Sequence, residues 1–160
     1  MVFALAACGG KGPNESTAPV SSTNPGKTAV PGKSTDPEKV DLGVDKIVVG
    51  CAFDLTAGSA NNGKSMQQGM NLALKDLNDE GGVFGLPIVL IERDDQSDPT
   101  KSVTYVEEMV TKEDAAFIIG STMSTCASAY NDFVNESEKL TIHSTAGASS
   151  CIDHEKYPYT

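Results

Sequence analysis

Apolar and polar positions follow two regimes along the chain. After a short apolar start, residues 1–7, the stretch 9–45 carries no sustained apolar pattern. From residue 46 onward, apolar runs alternate with segments whose apolar residues recur every three or four positions. Lys46-Ile47-Val48-Val49-Gly50-Cys51-Ala52 is apolar and β-branched, which predicts a buried strand. Met66, Met70, Ala73, Leu74 and Leu77 fall at helical spacing, and Asn78-Asp79-Glu80-Gly81-Gly82 supplies the stop. Residues 87–92 (Pro-Ile-Val-Leu-Ile-Glu) predict a second strand, residues 94–99 a turn, and Thr100 the N-cap of the next helix. That helix shows Val103, Val106, Met109 and Val110 on its apolar face. Residues 115–120 predict a third strand. Cys126, Ala129, Tyr130, Phe133 and Val134 mark a third helix, and residues 140–143 a fourth strand.

Strands alternating with helices imply right-handed βαβ units, hence an α/β fold with a parallel sheet and helices on both faces. In such sheets a ligand sits beyond the carboxyl ends of the strands. Three loops qualify: 53–62, 121–125 and 144–150, all rich in Ser, Thr, Gly or Ala. Their chemistry is hydrogen bonding from hydroxyls and backbone amides. Two of them lead into helix N-termini, where exposed N–H groups and the helix dipole favour an anion. A small carboxylate fits that description.

Composition separates the two regimes further. Of the 37 residues 9–45, 19 are Pro, Gly, Ser or Thr, and Pro13, Pro19, Pro25, Pro31 and Pro37 recur every six residues. That spacing suits neither a packed helix nor a sheet, so the segment reads as a disordered tether with a flexible-coil reach of roughly 35 Å. The hydrophobic content of 39% is low largely because of it. Before the tether, Leu5-Ala6-Ala7-Cys8 resembles a bacterial lipobox, which implies a clipped signal peptide over residues 1–8 and lipidation of Cys8. The chain carries 12 Lys+Arg against 22 Asp+Glu, a net charge of −10. The acidic balance argues against a nucleic-acid partner and against adhesion to anionic lipid through a basic face.

Several chemistries find no support. G-x-G-x-x-G is missing from the first strand–helix loop, and neither a P-loop run nor a G-x-S-x-G elbow occurs. No cofactor is implied. Asp94 and Asp95 read as turn caps rather than metal ligands. His143 and His154 lie apart, without Cys or carboxylate at zinc-ligand spacing. Beyond Cys8 three cysteines remain. Adjacent parallel strands bring the start of the third helix near the loop after the fourth strand, so a Cys126–Cys151 disulfide is expected, with Cys51 a buried thiol. A fully reduced set of core cysteines is the alternative.

The stretch from Lys46 onward resembles the type I periplasmic binding proteins, most closely the leucine/isoleucine/valine-type receptors of ABC importers. The resemblance rests on Asp54-Leu55-Thr56 with Gly63 and Gly69 downstream and on the turn from Asn78 through Gly85 to Pro87. It continues through residues 94–99, Ile118-Ile119-Gly120 and Tyr157-Pro158-Tyr159. It implies an extracytoplasmic solute receptor, lipid-anchored to the membrane, that binds an amino acid or similar small carboxylated solute and serves an ABC permease. Residues 46–160 would form part of the N-terminal lobe of a bilobal fold. The ligand would meet Ser124 and Thr125 after the third strand, Thr145, Ala146 and Gly147 after the fourth, and Asn62 in the first loop. Family members often carry a Thr where this chain has Gly147 and an aromatic where it has Asn62. Two rival readings accompany this one, a ligand-sensing domain of a signalling receptor with the same fold and an α/β enzyme. No nucleophile–base pair or metal set supports the enzyme.

Overall fold

A computed structural model describes residues 42–160. The lipobox with Cys8, and the tether up to residue 41, lie outside the described residues. Residues 42–46 are exposed and lead into the first strand without helix or strand of their own.

Four strands and three helices alternate: β1 (Ile47–Phe53), α1 (Ala60–Asp79), β2 (Ile88–Asp94), α2 (Pro99–Thr111), β3 (Phe117–Gly120), α3 (Ser124–Glu136) and β4 (Thr141–His143). A 3-10 turn, Ser149–Cys151, follows. All strand pairs are parallel, in the order β2-β1-β3-β4. The expected α/β fold with a parallel sheet is therefore present. β1 is central because both faces of it are apolar. Val48 and Ala52 join the core formed with α2 and α3, while Val49, Cys51 and Phe53 join a second cluster beside α1.

The two faces are packed unequally. On one, Val106, Met109, Ile118, Ala127, Tyr130 and Val134 are fully buried. On the other, α1 buries only Gly63. Met66 and Met70 are half-buried against the sheet, but Leu72 and Leu77 of the same helix are 62% and 43% exposed. The helix is held at its two ends. A Cβ on Gly63 would fall inside the van der Waals shell of the Asp54 carbonyl, so only glycine lets α1 approach β1 there. At the far end the Asn78 side chain accepts from Ile88 N at 2.8 Å and donates to Ile88 O at 2.9 Å, a two-bond clamp on the start of β2. Between the ends lies an apolar groove of about 130 Å³ over Val49, Ile88, Leu90 and Phe117.

Several boundaries shift by one to three residues from the sequence reading, and α1, starting at Ala60, takes in Asn62 of the expected first loop. Asp98, not Thr100, caps α2: its carboxylate accepts from Thr100 N at 2.8 Å and from Lys101 N. Pro99 can open a helix because its missing N–H would have no partner there anyway, which moves the start forward. The loop after β3, expected over 121–125, is also shorter, since α3 begins at Ser124.

Candidate functional site

The carboxyl ends of all four strands emerge along one edge of the sheet, and the loops there are built by their own side chains. After β1, the buried Asp54 carboxylate accepts from Thr56 N (3.0 Å), Ala57 N (2.6 Å), Ser59 N (2.6 Å) and Ser97 Oγ (2.6 Å). Asp94 accepts from Leu55 N (2.8 Å), Gln96 N (3.1 Å) and Thr56 Oγ1 (2.6 Å). Asp95 accepts from Ser97 N (3.0 Å) and Ser102 Oγ (2.7 Å). Ser97 thus ties the first loop to the turn after β2. Burial pushes the Asp54 and Asp94 carboxyls up, but hydroxyl and amide donors outweigh it and hold both below the ordinary range. At Asp95 burial prevails, helped by the charges of Asp54 and Asp94, and its carboxyl is raised. All three carboxylates are engaged within the protein, in keeping with turn-building. Among the described residues no group of three His, Cys, Asp or Glu could hold a metal ion.

The loops after β3 and β4 are stitched to each other. Ser144 N donates to Gly120 O at 3.2 Å, Thr145 Oγ1 to Ser121 O at 3.3 Å and Ala148 N to Ser124 Oγ at 3.3 Å. Two thioethers close the edge toward α1: Ser59 Oγ lies 3.0 Å from Met123 Sδ, and Ser144 Oγ 3.0 Å from Met66 Sδ. Sequence reasoning placed Met66 on the buried face of α1 and gave Met123 no role. The methionines carry no local signal for the edge, since their place there depends on how four loops converge.

Ser124, Thr145, Ala146 and Gly147 therefore come together, with Ser124 and Thr145 linked through backbone atoms of each other's loops. Ala146 is buried, whereas Thr145 and Gly147 are exposed. Ser124 Oγ uses a lone pair on Ala148 N and keeps its own proton to give. Thr125 is exposed on the first turn of α3. Asn62 is exposed on the first turn of α1, with its amide on Ser59 O. The helix starts differ in a way that bears on anion binding. Asp98 caps α2, but neither Ser59 at α1 nor Met123 at α3 makes a side-chain cap. At α1 the first amides turn back on the chain, Ala60 N to Ala57 O and Asn62 N to Ser59 O, whereas at α3 the first amides are left to other partners at this edge.

Behind β4, His143 is packed against Tyr130, with ring centroids 5.7 Å apart. Burial lowers its tendency to protonate, and a hydrogen bond to the Gly120 backbone partly offsets this.

The expected Cys126–Cys151 pairing is not formed: Cys51, Cys126 and Cys151 are all free and buried. The reason lies in the helix period. Cys151 Sγ meets Ser124 O at 3.3 Å and Ser128 Oγ at 3.2 Å, residues four apart on one side of α3. Cys126 lies two positions from each, about 200° around the helix, and faces Ser102 and Asp95 instead.

Comparison with known proteins gives one consistent result. A family model described as "periplasmic binding protein" matches residues 46–160. A protein from Brucella abortus named "Leu/Ile/Val-binding protein homolog 1" is 31% identical over 74 residues, covering 46% of this chain and 20% of that one. A solved structure of a solute binding protein of an ABC transporter from Rhodopseudomonas palustris, in complex with 3,4-dihydroxy benzoic acid, superposes with a TM-score of 0.66 at 26% identity. The match covers 72% of this chain and 31% of that one. The branched-chain amino acid transporter substrate binding protein LivJ from Streptococcus pneumoniae, solved with isoleucine, shares the fold at a TM-score of 0.66 and 21% identity. It is matched over 70% of this chain and 32% of its own. The chain thus spans between a fifth and a third of the lengths of these relatives.

Proposed function

The chain belongs to the periplasmic binding protein family, and from that premise we propose that it is the ligand-binding part of an extracytoplasmic receptor serving an ABC permease. Its work is reversible binding of an amino acid or a similar small carboxylated solute. Lipidation at Cys8 would anchor the receptor to the membrane, with residues 9–45 as the tether.

The observation that carries this reading is the start of α3. Its first amides have no side-chain cap, and Ser124 has a hydroxyl proton to give. The Thr145–Gly147 segment lies beside them, fixed by three hydrogen bonds between the two loops. A carboxylate placed there receives backbone and hydroxyl donors plus the positive end of a helix dipole. Ser124, Thr125, Thr145, Ala146 and Gly147 form the proposed contact set on this edge, with Asn62 of α1 as its sixth member. The relatives solved with isoleucine and with 3,4-dihydroxy benzoic acid hold solutes that share a carboxylate, which agrees with this chemistry.

Calorimetry of the full-length protein tests the proposal, with L-amino acids and small aromatic acids run beside their methyl esters. Saturable binding of at least one acid, lost on esterification, is expected. Ser124→Ala should weaken it roughly ten- to hundredfold, the effect of losing a hydrogen bond to a charged group worth ~1.5–3 kcal/mol. Equal binding of acid and ester, or binding of no compound in the panel, overturns it.

A further inference from the structure

Asn131 is fully buried on α3, and its side-chain amide spans both ends of the segment that carries Thr145, Ala146 and Gly147. Its Nδ2 donates to Cys151 O at 3.2 Å, and its Oδ1 faces His143 Nε2 at 3.0 Å. His143 closes β4 just before the segment, and Cys151 closes the 3-10 turn just after it. The partners fix the roles. The Asn131 nitrogen is committed to a carbonyl, so its oxygen is the acceptor and His143 Nε2 donates. In a neutral ring Nδ1 then holds the lone pair, and the Tyr130 hydroxyl, 3.3 Å away, donates to it.

A protonated ring cannot keep this arrangement. Nδ1 would carry a hydrogen, and Tyr130 would lose its acceptor inside a buried site. An acceptor near enough to favour that new N–H is the Gly120 backbone carbonyl, which receives Ser144 N at 3.2 Å. A ring drawn away from Tyr130 toward that carbonyl would strain its bond to Asn131, and with it the tie that Asn131 makes across the segment to Cys151 O.

We propose that His143, set by Asn131 and Tyr130, is a positioning residue for the Ser144–Ala148 segment, and that protonating its ring loosens the segment. The consequence for ligand affinity rests on the receptor reading above, but the coupling itself does not. The titratable neighbours are few. Tyr130 faces the ring from α3, with Cys126 one turn before it and Cys151 across from the 3-10 turn; Asp95, at the end of β2, acts on Tyr130. Among the described residues neither a carboxylate nor an ammonium is bonded to the ring, which meets Tyr130 and Asn131. Burial keeps the ring neutral at pH 7, so the change comes as the pH falls below the ordinary histidine value of 6.5.

NMR of the 160-residue chain reads this without any ligand. Imidazole resonances of His143 and the amide protection of residues 144–148 are followed from pH 8 to pH 5. The segment should lose protection about three- to tenfold, the loss of one neutral hydrogen bond, with the midpoint of the His143 resonances. Tyr130→Phe removes the donor that favours the neutral ring and should move both midpoints upward together. His143→Gln should abolish the step in the segment. A segment indifferent to the titration of His143, or a step that persists in His143→Gln, overturns the proposal. A coupled titration in a protein that binds none of the acids would refute the receptor reading and leave this one standing.

Discussion

Asp54, Asp94 and Asp95 show how neighbouring carboxylates can be driven apart by the donors around them. Asp54 and Asp94 titrate below the ordinary aspartate value of ~3.9. The stability they contribute is therefore complete above that value and drains away as pH falls through their lowered ones. Asp95 is raised, so its ionised form subtracts stability at neutral pH and returns it as the pH falls. Asp54→Asn should then cost about 1–3 kcal/mol at pH 7, because one oxygen and the charge serving four donors are lost. Asp95→Asn should cost less than Asp54→Asn, or stabilise. Urea midpoints at pH 7 and pH 3 check both, and the Asp54→Asn deficit should shrink at the lower pH. The thiols make a second residue-scale case. Burial, then the charge of Glu92, pushes Cys51 up to about 12, and burial raises Cys126. Iodoacetamide at pH 8 should label Cys51 and Cys126 slowly in the native protein. In denaturant without reductant it should label Cys51, Cys126 and Cys151 alike. Protection of the last two by a disulfide would contradict the structure.

The elements were legible where their pattern answers to local forces. Every strand and helix of the described region follows the apolar spacing read from the sequence, within a few residues at each end. What the spacing could not supply was contact made at a distance. Asp98 displaced Thr100 as the cap because Pro99 tolerates the first helical position. Cys126 and Cys151 are close in topology yet lie on different sides of α3. The loops proposed to meet a ligand were visible as hydroxyl-rich stretches, but Met66, Met123 and the Asn131 clamp appear only once the loops converge. α1 offers a direct test of what such contact is worth. Gly63 and Gly69 share this helix, and by propensity alone alanine at either should stabilise it by up to about 1 kcal/mol. Gly69 has open space around it and should follow that rule. Gly63→Ala would meet the Asp54 carbonyl and force the helix off β1, costing about 1–3 kcal/mol or more. Thermal melts of the two variants should therefore shift in opposite directions.

At the scale of the whole molecule, the sheet has one finished face and one partly open face. Ile118 on β3 is fully buried beneath α2 and α3, whereas Ile142 on β4 is 49% exposed and Leu140 beside it 53%. Ile142 pairs in register with Ile119, whose neighbours lie on the α1 side. Burial on the finished face includes both transfer from water and tight packing, so Ile118→Thr removes apolar volume and adds a hydroxyl with no partner assured. It should cost about 2–4 kcal/mol. Ile142→Thr gives up far less, since half its surface already meets water and threonine keeps the β-branch that suits a strand. Its cost should stay below about 1 kcal/mol. The same asymmetry predicts that a polarity-sensitive dye binds the native chain along the open face, over the groove beside Leu74 and Leu77. Leu77→Lys, at the rim of that groove and 43% exposed, should reduce that fluorescence while leaving the denaturation midpoint within about 1 kcal/mol of the parent. Equal costs for Ile118→Thr and Ile142→Thr would mean that the α1 face is as well packed as the other, and the placing of β4's apolar side chains against solvent would have to be abandoned.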